Sequence, residues 1–228
     1  MLEVSRLTKR YGSGGGISDV SFSVPAGSAA AVVGPNGAGK STLFNILAGI
    51  LPREAGTCLL DGIKLKQLKP GEIGFLPEKS YLIPDFTPAQ MLMYVNQMRE
   101  LFLSNGEIEK LISLYDLEEF RNQKNKTLSQ GMAKRAAMAC AMMGIPRLLI
   151  LDEPTNGLDT QSVILLKNAL KRHKKRGAVI LISSHILDFL DGVADEILFL
   201  KSGELIRAGK KTSTEIETMY RELFLPGE

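Results

Sequence analysis

Gly34-Pro35-Asn36-Gly37-Ala38-Gly39-Lys40-Ser41-Thr42 follows the pattern G-x-x-x-x-G-K-[ST] of a phosphate-binding loop. The residue types account for the chemistry. Gly34, Gly37 and Gly39 carry no Cβ, so the backbone can take positive φ and come close to a ligand. Successive N–H groups then converge on an anion. A helix opening near Lys40 adds unpaired donors and the positive end of its dipole. Lys40 is a mobile cation for the β- and γ-phosphates of a nucleotide, and the Ser41 hydroxyl is an oxygen ligand of the kind Mg²⁺ takes. A second pair, Asp152-Glu153, ends the apolar run Arg147 to Leu151. Two acids at the end of a buried strand are costly unless they hold a metal or a proton. Asp152 therefore reads as the Mg²⁺-side carboxylate and Glu153 as a base for water, the plainer alternative being a surface turn. His185, after the apolar run Ala178 to Ile182, is a candidate to sense a γ-phosphate; His173, inside a basic run, is not.

A further stretch, Leu128-Ser129-Gln130-Gly131-Met132, precedes a small-residue helix read as Ala133 to Met143. Ser129 is a natural N-cap. The stretch is either an ordinary capped helix or a second anion site, with the Ser129 hydroxyl, the Gly131 N–H and the helix dipole facing one ligand.

The elements that must position these groups are legible in coarse form. Ala29 to Val33 is a short apolar strand feeding the glycine loop, and Thr42 to Ala48 opens a helix stopped by Gly49 and Pro52. Leu2 to Leu7 and Ile17 to Val24 alternate as strands. Gly56 to Leu60 and Ile63 to Leu65 flank Asp61-Gly62 as a hairpin. Glu72 to Glu78 is a short strand ending at a proline. From Ala89 to about Asn125 the pattern is helical: Met91, Leu92, Val95, Met98, Leu101 and Phe102 recur at three- and four-residue spacing, and Ile108, Leu111, Ile112 and Leu114 do the same in the next helix. Gln161 to Arg176 is helical and ends in a basic run that reads as a solvated face. Glu196 to Lys201 and Glu204 to Ala208 form a hairpin, and Thr212 to Phe224 a final helix.

The chain has 228 residues, 44% apolar and 23% charged, which suits a globular protein with a sizeable core. A net charge of +3 does not demand nucleic acid. Cys58 and Cys140 lack metal spacing and read as reduced thiols of a cytosolic protein. The first residues, Met1 to Arg6, have no apolar core of a signal peptide, and no run approaches the length of a membrane span. Any membrane role is expected to come through a partner.

Together these motifs resemble the nucleotide-binding subunit of an ABC transporter. Gly34 to Thr42 matches the Walker A motif, Leu128 to Met132 is similar to the LSGGQ signature, and Leu148 to Glu153 looks like the Walker B with its following glutamate. Gly157-Leu158-Asp159 is similar to the D-loop, His185 to the switch histidine, and Tyr11 to the aromatic that stacks on adenine. The resemblance implies an α/β fold: a P-loop NTPase core with a mixed sheet, a small antiparallel β subdomain and an inserted all-helical subdomain. It implies one domain over 1–228, with a catalytic lobe at about 1–78 and 148–228 and the helical subdomain at about 79–147. It implies ATP and Mg²⁺ as cofactors, with Gly34, Pro35, Asn36, Gly37, Ala38, Gly39, Lys40, Ser41 and Thr42 on the nucleotide. Ser41, Asp152 and Glu78 would serve the metal, and Glu153, His185, Lys40 and Glu78 would act in hydrolysis. It further implies a head-to-tail homodimer or heterodimer in which Ser129 and Gly131 of one subunit close the cleft of the other. The expected partners are integral membrane permease subunits rather than nucleic acid, at the cytoplasmic face of the membrane.

Two departures stand out. Glu78 occupies a position where the family usually has glutamine, and its Leu-Pro-Glu context resembles the branch serving ABC-2 type exporters. The signature has Gln130 for glycine and Met132 for glutamine, while Ser129 and Gly131 are retained. The competing function is a soluble ABC-type ATPase acting on nucleic acid or the ribosome, a class marked by paired ATPase domains, coiled-coil arms or strong basicity. A GTPase is disfavoured because Leu128 stands where the guanine-reading aspartate belongs after Asn125-Lys126-Thr127.

Overall fold

The computed structural model describes all residues except Ser13, Ser80, 212–215 and 226–228. Strands β1 (Leu2–Arg10) and β2 (Gly16–Val24) are followed by β3 (Ala29–Val33) and helix α1 (Lys40–Leu47). A hairpin, β4 (Ala55–Leu60) and β5 (Ile63–Lys64), leads to β6 (Ile73–Leu76). Three helices come next: α2 (Pro88–Met98), α3 (Asn105–Leu114) and α4 (Gln130–Met142). The chain then alternates through β7 (Leu148–Leu151), α5 (Thr160–Lys175), β8 (Val179–Ile182) and α6 (Leu187–Asp191). It finishes with β9 (Glu196–Lys201), β10 (Glu204–Lys210) and α7 (Ile216–Phe224).

The strands form two sheets. The larger runs β10-β9-β3-β8-β7-β6, parallel except for the β9–β10 hairpin; the smaller, β2-β1-β4-β5, is antiparallel. The pleat explains how five apolar residues in a row can all be useful. Alternate side chains of β3 leave opposite faces. Ala29, Ala31 and Val33 join the core that the long helices cover, whereas Ala30 and Val32 join the core shared with α1 and the antiparallel sheet. Strands β7 and β8 divide the same way, so both faces of the sheet are dry, as a parallel sheet requires.

Three expectations need correction. Of the two helices expected between Ala89 and Asn125, the first is shorter than its apolar spacing implied, because Leu101 and Phe102 fall outside it. α2 stops at Met98, and Glu100 (φ 51°) and Phe102 (φ 55°) take left-handed backbone. Asn96 fixes the break by donating from Nδ2 to Leu103 O at 3.0 Å and accepting from Leu103 N at 2.9 Å. Ser104 and Glu107 then open α3 with a capping box, and single 3₁₀ turns follow α3. Apolar spacing carries across such a break because both helices face the same core. Secondly, the basic end of α5 is only partly a solvated face. His173 is buried, and Lys174 pairs with Asp195 at 2.6 Å. Thirdly, α4 opens at Gln130 rather than Ala133, because Ser129 caps it by accepting from Met132 N. Of the predicted final helix, residues 216–224 are helical and 212–215 lie outside the described residues.

Candidate functional site

Parallel strands deliver their C-terminal ends to one edge, where α/β sheets bind ligands. β3 delivers the glycine loop, β7 delivers Asp152 and Glu153, and β8 delivers Ser183 to His185. These segments enclose a cleft of about 380 Å³ lined by Gly15, Gly16, residues 36–42, Glu78, Asp152, Glu153 and His185. The glycine backbone, Lys40 and Ser41 in that lining suit the phosphates of a nucleotide.

Gly39 is the pivot of the loop. It caps α1 with φ 103°, and a Cβ there would lie 2.7 Å from Ile17 Cγ2 and 2.8 Å from Gly16 O. No side chain caps α1, so its first N–H groups are free to face the cleft. Lys40 Nζ donates to Gly34 O at 2.7 Å and Pro35 O at 3.1 Å. Burial lowers its pKa, and the charges of Glu153, Asp152 and Glu78 oppose that shift. A nucleotide phosphate would offer this ammonium stronger partners than two carbonyls.

The acids are held from below. Asp152 and Glu153 are 4% and 3% exposed. Ser183 Oγ donates to Asp152 Oδ1 at 2.7 Å and accepts from Glu153 N at 3.0 Å, so one hydroxyl sets both residues. Glu153 leaves the strand with φ 48°, which turns its carboxylate into the cleft. Its Oε2 accepts from His185 N at 3.1 Å. Its Oε1 is buried without a hydrogen bond and lies 3.3 Å from His185 Nε2. Burial raises the Glu153 pKa, with the Asp152 charge adding to it, while His185 and Lys40 oppose the rise. A buried carboxylate oxygen without a hydrogen bond, on a residue that lines the cleft and stands against a histidine, is the feature expected of a proton acceptor.

The other predicted residues fall in distinct places. Gly34 and Pro35 line an adjoining recess with Ser184, His185, Leu187 and Tyr220 rather than the main cleft. Tyr11 is 41% exposed and lines a recess that shares Gly15 and Gly16 with the cleft. Glu78 is exposed at the cleft wall. Ser129 and Gly131 do not line the cleft of their own chain. Among the described residues no three His, Cys, Asp or Glu side chains gather as a metal site. The Ser41 hydroxyl and Asp152 nevertheless fit Mg²⁺, which keeps water and phosphate oxygens among its ligands.

Sequence reasoning missed Ser183, whose role needs the β7–β8 pairing to be visible, and Lys134. Lys134 is a buried lysine whose Nζ donates to Glu78 O at 3.0 Å. A charged residue within an alanine-rich helix was its one sequence signal.

A family model described as ABC transporter matches residues 17–156. The chain belongs to the ABC transporter family. Within it, the cassette is 34% identical to a lantibiotic transport ATP-binding protein of Streptococcus pyogenes over 99% of this chain and 98% of that one. It is 32% identical to a linearmycin resistance ATP-binding protein of Bacillus subtilis, over 93% of this chain and 70% of that one. Among solved structures, an ATP-binding subunit of an ABC transporter matches with TM-score 0.88 and 28% identity, covering 97% of this chain and 98% of the other. A dimeric ABC cassette in a post-hydrolysis state with ADP and Pi matches with TM-score 0.79 and 26% identity, covering 94% of this chain and all of the other. The α/β fold and the role as an ATP-binding, ATP-hydrolysing ABC cassette, with Mg²⁺ as the usual partner in hydrolysis, follow from this membership.

Proposed function

We propose that this cassette powers an ABC exporter, with the cleft at the sheet edge as its hydrolytic site. The observation that carries the residue roles is the convergence on one cleft of the glycine loop and Glu153, whose buried Oε1 has no hydrogen bond. The backbone of Gly34 to Thr42 binds the phosphates, and Lys40 exchanges its two carbonyl partners for the β- and γ-phosphates. Tyr11 takes the adenine in its neighbouring recess. Ser41 and Asp152 would hold Mg²⁺, with Glu78 at the wall, and the ion would supply neutralisation of the charge on the phosphate oxygens. Water attacks the γ-phosphorus in line, the bond to the bridging oxygen breaks, and Glu153 takes the water's proton. His185, held against Glu153, contacts the γ-phosphate.

The cassette is read as one domain, with a catalytic lobe at about 1–78 and 148–228 and a helical subdomain at about 79–147. One chain carries both the glycine loop and an exposed Ser129 at a helix start, so two copies suffice to build two complete sites. Each cleft is closed by Ser129 and Gly131 of the partner. Membrane permease subunits dock beside the loop that follows Glu78. There a groove of about 240 Å³ is lined by Phe75, Pro77, Tyr81, Leu82 and Val95, with Tyr81 81% exposed. Among the described residues no helix is long and apolar enough to cross a membrane. Export is favoured by relatives named for lantibiotic transport and for SkfA peptide export, the latter 32% identical over 91% of this chain.

The test is ATP binding and turnover by Lys40→Ala. The expected result is loss of both; unchanged affinity and turnover would remove the glycine loop from the site.

A further inference from the structure

Outside the groups assigned roles above, Lys134 is buried with no structural need for its charge. It lies one turn into α4, beside Ala133, Ala136 and Ala137, and is 4% exposed. A buried ammonium is costly unless paired, and an apolar side chain of similar volume would often be neutral or stabilising in its place. Burial pushes its pKa below the usual 10.5, against the pull of the Asp152, Glu78 and Glu153 carboxylates. Among the described residues its Nζ makes one hydrogen bond, to Glu78 O at 3.0 Å. The two ends of this link matter. Helix α4 is capped by Ser129 and carries Gly131 in its first turn. Glu78 forms part of the cleft wall. One side chain therefore joins the helix that would bind the partner's nucleotide to the loop that borders this chain's own.

We propose that Lys134 is a positioning residue that holds the backbone at Glu78 to α4, so that engagement of Ser129 and Gly131 moves Glu78 with respect to Asp152 and Glu153. This rests on the ATPase reading of the cleft. A hydrogen bond from a charged donor supplies the strength that such a link needs.

The experiment compares the parent cassette with Lys134→Met and Lys134→Arg, using ATP turnover with Mg²⁺ and hydrogen–deuterium exchange without nucleotide or metal. For Lys134→Met we expect KM for ATP within twofold of the parent and kcat reduced about tenfold, the order expected from losing a charged hydrogen bond. Exchange should rise in the peptide containing Glu78 and stay unchanged in α1. Lys134→Arg, which keeps the donor and its charge, should restore kcat to within about threefold and the exchange to parental levels. Parental kcat and exchange in Lys134→Met would overturn the proposal. So would a global rise in exchange or failure to fold, since either makes Lys134 a core residue only, and so would equal damage from both substitutions. Lys40→Ala and Glu153→Gln, measured alongside, report on the ATPase reading separately: if they retain turnover, that reading fails whatever Lys134 does.

Discussion

Glu153 combines three properties that a base for water needs. It is buried, which raises its pKa; one oxygen is anchored by His185 N at 3.1 Å; the other has no hydrogen bond and faces His185 Nε2 at 3.3 Å. Glu153→Gln keeps the shape and removes the proton acceptor, so hydrolysis should fall by about 10²–10⁴. ATP affinity should stay within twofold, as measured by equilibrium binding beside single-turnover hydrolysis. At the same scale, His173 gives the fold a pH dependence unrelated to the cleft. Burial, with the nearby Arg172 and Arg176 charges, lowers its pKa from 6.5 to about 4. The folded state therefore resists protonation that the unfolded chain accepts. The stability from neutral His173 is present above pH 6.5 and is lost as pH falls from 6.5 to about 4, with no further loss below that. Thermal melting over this window should show a smaller decline for His173→Asn than for the parent. Parallel declines would remove His173 as the cause.

At the scale of elements, two glycines mark where neighbouring segments meet closely. A Cβ on Gly39 would collide with Ile17 and Gly16 O, and φ 103° is unsuited to other residues. Gly39→Ala should cost about 1–3 kcal/mol in strain. It should also lower ATP affinity, checked by melting and by nucleotide titration. Gly157, with φ 77°, lies against the Gln130 side chain, so that an added Cβ would meet Gln130 Cδ at 2.8 Å. The departure from glycine at Gln130 is thus built into a contact between the start of α4 and the loop after β7. The strand–loop–helix unit from Ala29 to Leu47 was legible because local residue types decide it: small apolar residues, then glycines, then helix formers. Asp152-Glu153 was legible because acids rarely end a buried strand. The end of α2 short of Leu101 and Phe102 was not, since it depends on Asn96 bonding to Leu103 and leaves the apolar spacing intact. Ser183 and Lys134 were hidden for a related reason. Their partners lie 31 and 56 positions away, and only the sheet order and the packing of α4 on β6 bring them together.

At the scale of the whole molecule, the cleft reads as half of a site. Its floor and one wall come from β3, β7 and β8, yet Ser129 and Gly131, proposed above to close such a cleft, do not line it within the same chain. Two copies placed head to tail would supply what each lacks, and the solved post-hydrolysis cassette with TM-score 0.79 is itself a dimer. Nucleotide should then act as part of the interface, and blocking hydrolysis should hold that interface shut. The most direct measurement is the solution mass of Glu153→Gln by light scattering, with and without ATP and Mg²⁺. The expected result is the 24.9 kDa chain mass without nucleotide and twice that mass with it. The dimer should be lost in Glu153→Gln carrying Ser129→Phe, which leaves the glycine loop able to bind ATP. A Glu153→Gln cassette that binds ATP yet stays at the mass of one chain would contradict the account.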